Sequence, residues 1–441
     1  MRSSFPGTRV SLSNPQSPNL RLQFPPWPFT GRVRGDRLSR HDMTNQVPRS
    51  ELADRLRRFQ ARMDAEQPRW ALAAILGRVN QYYFTGTMQD GALLIPRGGE
   101  AVLWVRRSFE RACAESLLPA IRPMNSFRDA AQSLGRIPET IHIEADVVPF
   151  GLVQRFRKHF PCREVAALDA QVAKVRAVKS PYEQALMERA GEIHRRIMEE
   201  DVPKLLREGI SEAEFGADLF PVMVRQGHQG VVRFGAFGAE TLVGQIGFGE
   251  SSLYPTSMDS PGGCQGLAPA APVLGSAVRK LRRGDLVFLD TGCSVEGYHT
   301  DKTLTYAFGG APSGETLTMH ERCLQVERRA AEMLRPGAIP SEIYSAILDS
   351  LDAAFRKHFM GYGDRHSNFL GHGIGLQIDE PPVIAKGFDE PLVEGMVIAL
   401  EPKRGVAGIG MVGSENTYLV TPNGGKSLTG EHPGLMVVEG S

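Results

Sequence analysis

Two short apolar runs that each end on a carboxylate, LVFLD up to Asp290 and VIALE up to Glu401, constrain this chain more than any other feature. Apolar runs of this length, bounded by turn signals, read as buried strands. An ionised carboxylate at the end of such a strand loses its water, which is costly unless a cation or donor replaces it. Three more residues have the same character. Asp301 lies eleven positions beyond Asp290 (301 less 290), across GCSVEGYHT, whose glycines fit a hairpin that carries both carboxylates to the same end of a strand pair. His372 stands in GHGIG, where small neighbours let the backbone come close to an ion. Glu415 stands in MVGSENTYLV. Taken singly, any of these acids is a solvated surface group. Together, Asp290, Asp301, His372, Glu401 and Glu415 have the donor chemistry for hard or borderline divalent ions such as Mn²⁺, Co²⁺, Zn²⁺ or Fe²⁺. Two such ions, roughly 3.5–4 Å apart, can generate a hydroxide nucleophile and hold both ends of a breaking bond.

Composition excludes several classes. A length of 441 residues points to about two domains. A net charge of +1 provides no pull toward nucleic acid or a membrane surface, and no run approaches the roughly 20 apolar residues of a membrane span. The cysteines, Cys113, Cys162, Cys264, Cys293 and Cys323, form no C-x-x-C pair and read as reduced thiols of a cytoplasmic protein, with Cys293 a small packing residue. The first 42 residues hold Arg2, Arg9, Arg21, Arg32, Arg34, Arg37 and Arg40 with few acids and no periodicity. They read as a disordered extension reaching to residue 47 or as sequence ahead of a true start at Met43; a transit peptide is the alternative.

From there the pattern alternates. PRSELADRLRRFQARMDAE sets Leu52, Leu56 and Phe59 at helical spacing; ALAAIL, ALLIP, AVLWV and TIHIEAD read as strands, FERACAESL and VPFGLVQRFRKHF as helices, TGTMQDG as a turn. This is a small α/β domain over residues 48–170. Residues 171–441 open with helices. Ser180-Pro181 with Glu183, and Ser211 with Glu214, are N-terminal capping signatures. MHERCLQVERRAAEMLRPG and PSEIYSAILDSLDAAFRKHF form a second pair, the latter capped at Ser341. Helix pair, strands, helix pair, strands fits two similar halves around one curved sheet.

DTG-x₄-GY-x₂-D, GHGIGL, ALEP and EN-x-YLVT, in that order, resemble the pita-bread metalloenzymes of M24 type: prolidase, aminopeptidase P, methionine aminopeptidase and creatinase. VAKVRAVKSPYEQALMERA resembles the segment that begins their catalytic domain. The likeness covers roughly residues 170–425 well and residues 50–170 by position only. It implies an α/β (α+β) fold, with a smaller creatinase-like domain that walls the site and supports a homodimer. It further implies two divalent metal ions, manganese first among them. The five residues above are then ligands, Glu401 also handles a proton, and the reaction is hydrolysis of small peptides before proline.

Several positions depart from the proline-specific pattern. Thr256 or Ser257, Asn368 and Asp379 stand where those enzymes carry histidine, and Gly413 and Leu304 where arginine is common. An ionised Asp379 only accepts, so it reads as a base, or else as a group that orients His372 or caps a helix. His299 and His366 are candidates for a proton relay or ordinary polar histidines. YPTSMDSPGG reads as a loop whose Tyr254, Ser257 and Asp259 face the metals. Three functions fit: an Xaa-Pro peptidase, a lyase or other hydrolase with Asp379 as base, and a non-catalytic binding protein on the same scaffold.

Overall fold

The computed structural model describes residues 46–439; the extension expected over residues 1–47 lies, up to residue 45, outside them. The expected first helix spans Arg49–Glu66 and buries Leu52, Phe59 and Met63. Phe59 packs against Trp70 and Phe84, with ring centroids 6.4 and 5.2 Å away. Behind it lies a six-stranded mixed sheet in the order 121–123, 102–105, 91–96, 72–75, 140–143, 164–167. ALAAIL, ALLIP, AVLWV and TIHIEAD supply four of its strands. Between the first two lies a helix the sequence reading leaves out, Arg78–Thr85, ended by Gly86 at φ 74°. Its first turn is held by buried Glu144, which accepts from the backbone N–H groups of Leu76 and Gly77 at 2.6 and 2.8 Å. That contact spans 68 positions and leaves no local signature.

Both expected capping boxes are present. Ser180 caps Pro181–Arg196 with Glu183, and Ser211 caps Glu212–Gln226 with Glu214. The expected cap at Ser341 is corrected: the helix is Pro340–Asp349, with Ile339 at the cap position and proline as its first residue. Proline's fixed φ starts the helix two residues earlier, and the Ser341 hydroxyl instead donates to Asp389 at 2.5 Å. The other helix of this pair spans Gly314–Met333.

The site rests on two sheets. One has the strand order 436–438, 298–308, 286–295, 244–248; the other has 380–385, 369–373, 397–400, 416–421, 424–427. A single antiparallel bridge between Thr303 and Glu415 joins them, with N–H···O distances of 3.2 and 3.4 Å. The expected hairpin is Leu286–Val295 and Tyr298–Phe308. Its turn residues Glu296 and Gly297 both have positive φ, 49° and 81°, the turn whose twist suits a two-residue hairpin. Asp290 therefore sits inside its strand and not at its end, because the ladder runs on through Val295. In register, Asp290 faces Thr303 and Asp301 faces Gly292, so both carboxylates leave the same face of the ribbon, near its middle. Helix Pro181–Arg196 packs on the hairpin from outside.

Candidate metal centre

Each site residue reaches the centre from a different strand setting. Asp290 and Asp301 come from the hairpin. His372 lies in Phe369–Gly373, with Ala399 opposite on the neighbouring strand. Glu401 follows the end of Val397–Leu400, as expected, and Glu415 immediately precedes Asn416–Thr421. All five line one cavity of about 650 Å³.

Their polar atoms divide into two groups. In one, donor atoms of Asp301, His372 and Glu415 lie within 4.8 Å of one another. His372 Nδ1 lies 3.1 Å from the Gly373 carbonyl oxygen, which can only accept. Nδ1 therefore carries the proton, and the Nε2 lone pair faces Glu401 Oε1 at 3.5 Å and Glu415 Oε1 at 3.8 Å. Asp301 Oδ1 and Glu415 Oε1 are buried and have no hydrogen-bond partner. An imidazole lone pair between orphaned carboxylate oxygens suits a divalent cation, so the residues present fit an ion here.

The second group is Asp290, Glu401 and Glu415. Here a residue absent from the sequence reading takes the centre. Lys403 Nζ donates to Asp290 Oδ2 at 2.8 Å, Glu401 Oε2 at 2.8 Å and Glu415 Oε2 at 2.7 Å. Its side chain is fully buried. Two positions after Glu401, it returns to the same side of the chain. The available signal was a lysine directly after ALEP, at the end of a buried strand. On the paired strand Gly413 lies opposite, at φ 136°, and a Cβ there would stand 2.6 Å from Lys403 Cα.

Charge in the pocket is unbalanced. Burial, then the neighbouring charge of Asp290, pushes the Asp301 carboxyl well above the ordinary carboxylate range. Burial, then Asp301, does the same to Glu415. Burial works against the Lys403 ammonium, but Asp290, Glu401 and Glu415 outweigh it and raise its pKa. Four carboxylates facing one ammonium still call for positive charge.

The other candidate residues are placed as follows. Asp379 lines the cavity, but Gly235 N–H donates to its Oδ1 at 2.5 Å and Ala236 N–H to its Oδ2 at 3.1 Å. Glu380 is buried against Arg176 and 3.8 Å from Lys179. His299 is buried with both nitrogens engaged: Nδ1 on the Gly375 carbonyl at 3.0 Å, Nε2 accepting from Arg233 N–H at 3.2 Å. That leaves it no nitrogen for a relay. Both His366 nitrogens lie 2.9 Å from carbonyl oxygens, of Phe359 and Gly363. Ser257, Asp259 and Asn368 line the cavity. Tyr254, expected to face the site, is 55% exposed and outside its lining, a correction to the loop reading. Cys293 is core; burial lifts its thiol to about 12.

A curved two-sheet scaffold with clustered carboxylates and a histidine, preceded by a mixed-sheet domain, defines a pita-bread metalloenzyme. The profile of the M24 metallopeptidase family matches residues 185–422, and that of the creatinase/prolidase N-terminal domain matches residues 55–178. The chain belongs to metallopeptidase family M24. It is 31% identical to an Xaa-Pro dipeptidase of Pyrococcus furiosus over 80% of this chain and 91% of that one. The solved prolidase of Pyrococcus horikoshii superposes with a TM-score of 0.70 at 26% identity, covering 86% of this chain and 99% of that one. Dipeptidase PepE of Mycobacterium ulcerans does so at 0.71 and 26%, covering 89% and 99%.

Proposed function

We propose that this chain is a metal-dependent peptidase that hydrolyses the bond before proline in small peptides. The observation that carries it is the convergence of Asp301, His372 and Glu415, two of them with orphaned buried oxygens, on the floor of a cavity of about 650 Å³. That volume is in the range of small-molecule sites. The names of the P. furiosus and P. horikoshii relatives support the substrate class.

Asp301, His372 and Glu415 would hold the ion, which when bound supplies Lewis-acid polarisation and a more acidic water. The remaining work falls to this chain's own side chains. Glu401 Oε2 is held by Lys403, so its Oε1, facing His372, is the atom that takes a proton and returns it to the leaving nitrogen. The Lys403 ammonium keeps Asp290 and Glu401 in fixed orientation. Phe234, Phe369 and Ile378 on the cavity wall give the proline ring an apolar surface. Asp379 is assigned to positioning: by holding Gly235 and Ala236 it shapes the wall that carries Phe234 and Phe237. A base with both oxygens already accepting is a poor proton acceptor, which weighs against the lyase reading. The division near residue 170 and the homodimer stand as proposals with this function.

The test is incubation of the purified chain, with Mn²⁺ or Co²⁺, against a pool of Xaa-Pro dipeptides and Xaa-Pro-Xaa tripeptides read by mass spectrometry. Release of proline or of a Pro-Xaa product supports the proposal. Full metal loading with every Xaa-Pro peptide intact overturns it.

A further inference from the structure

Asp290, Glu401 and Glu415 bring three carboxylate oxygens close enough to ligate a cation, and a cation is already there. Lys403 Nζ meets one oxygen from each, at 2.8, 2.8 and 2.7 Å. Its side chain is wholly buried, and it comes from the short strand that begins at Lys403. Three donors on one ammonium match three acceptors, so the hydrogen-bonding capacity of the group is used in full. The neighbouring group, Asp301, His372 and Glu415, contains no such side-chain cation, and it is there that Asp301 Oδ1 and Glu415 Oε1 stay buried without a partner. Glu415 belongs to both groups: Oε2 faces the lysine, Oε1 the orphaned side.

We infer that the centre is a hybrid, with one divalent ion at Asp301, His372 and Glu415, and with the Lys403 ammonium in place of the second ion that the five-ligand pattern suggests. This rests on the metal-dependent reading above and deepens it. Charge supports it. With an ion bound and all four carboxylates ionised, one divalent ion and one ammonium leave a single negative charge. A second ion would have to displace a buried lysine whose three N–H donors are all spent on these carboxylates, and stranding such a group is costly.

The experiment is metal stoichiometry by elemental analysis of Mn²⁺-loaded, desalted protein, with electron paramagnetic resonance of the same samples. The wild-type chain should hold one Mn²⁺ and give the six-line signal of an isolated ion. Lys403→Ala, which opens the second place, should hold two and give an exchange-coupled spectrum. Lys403→Met, which keeps most of the stem volume, should remain at one. Circular dichroism of each variant shows whether it is folded; should neither variant fold, the wild-type count and spectrum decide. Two coupled ions in the wild type overturn the hybrid centre and leave the metal-dependent reading intact, as does a Lys403→Ala protein that folds and still binds one. No ion in wild type or variant overturns the metal-dependent reading itself.

Discussion

Lys403 Nζ lies 2.8 Å from Asp290 Oδ2, and 113 positions of sequence separate the two residues. The pair holds the hairpin sheet to the strand that follows Glu401, across the floor of the cavity. Removing one partner of a buried ion pair leaves the other charge uncompensated, typically at about 3–5 kcal/mol. Metal-free Lys403→Met should therefore unfold at a markedly lower urea concentration than metal-free wild type. Equal midpoints in a chelator-treated comparison would show that the ammonium contributes nothing to the apo fold.

His372 provides the only nitrogen donor of the five, with its Nε2 lone pair turned toward Glu401 and Glu415. His372→Ala should lose bound Mn²⁺ and lower kcat/KM on an Xaa-Pro dipeptide by about 100-fold or more, the scale of a lost transition-state contact. The strand around it buries its neighbours Leu370 and Ile374, so the thermal midpoint of the chelator-treated variant should stay near that of chelator-treated wild type. Retained metal would remove His372 from the ligand set.

Asp379 separates two roles by kinetics. Asp379→Asn keeps one acceptor for Gly235 or Ala236 N–H and turns the other oxygen into a donor. A positioning role predicts a rise in KM of several-fold with kcat little changed, since one lost hydrogen bond is worth about 1 kcal/mol. A base role predicts a loss in kcat of about 10²–10⁴ with KM unchanged. We expect the first pattern in steady-state kinetics at saturating metal.

Arg55 couples the first helix to the hairpin that carries Asp290 and Asp301. Its guanidinium donates to Glu51 at 2.7 Å, the Tyr83 carbonyl at 2.7 Å and the Tyr298 hydroxyl at 2.9 Å, and it is fully buried. Tyr298 in turn donates to Glu183 at 2.7 Å. Arg55→Met should cost about 3–5 kcal/mol by stranding these partners, measured as a lower midpoint in urea. A change under about 0.5 kcal/mol, the scale of an ordinary surface substitution, would mean the network is redundant.

Buried histidines set the acid limit. Burial lowers His228 to about 4 and His320 to about 4, and holds His194 well below the usual value. The unfolded chain binds protons on these rings below about pH 6.5, while the folded chain takes them up on His228 and His320 only at about pH 4, and on His194 only well below its ordinary range. Their stabilising effect is thus complete above pH 6.5 and declines as pH falls toward 4, by up to about 1.4 kcal/mol per ring per pH unit. Urea midpoints should drop steeply between pH 6.5 and 4, and His228→Asn should make that slope shallower. Equal slopes for wild type and variant would show that His228 titrates alike in both states.

Local signals read well. Ser180 with Glu183 and Ser211 with Glu214 were legible because each box closes over three positions. The strands carrying Asp290 and Glu401 were legible because buried strands are runs of apolar residues. The same logic failed where a distant group intervened. The helix Arg78–Thr85 depends on Glu144, and Asp290 lies inside its strand because a turn at Glu296-Gly297, not a carboxylate, ends the ladder. Asp379 looked like a base until the backbone of Gly235 and Ala236 reached it from 144 and 143 positions away.

The amino-acid sequence by itself determined which acids and which imidazole gather, since an ionised group among buried strands is tolerable only where charges can be matched. Only the tertiary structure decided what matches them. A lysine after a strand is ordinary in a linear reading; enclosed by oxygens from three separate segments, with water excluded, the same ammonium becomes one of the charges that define the centre.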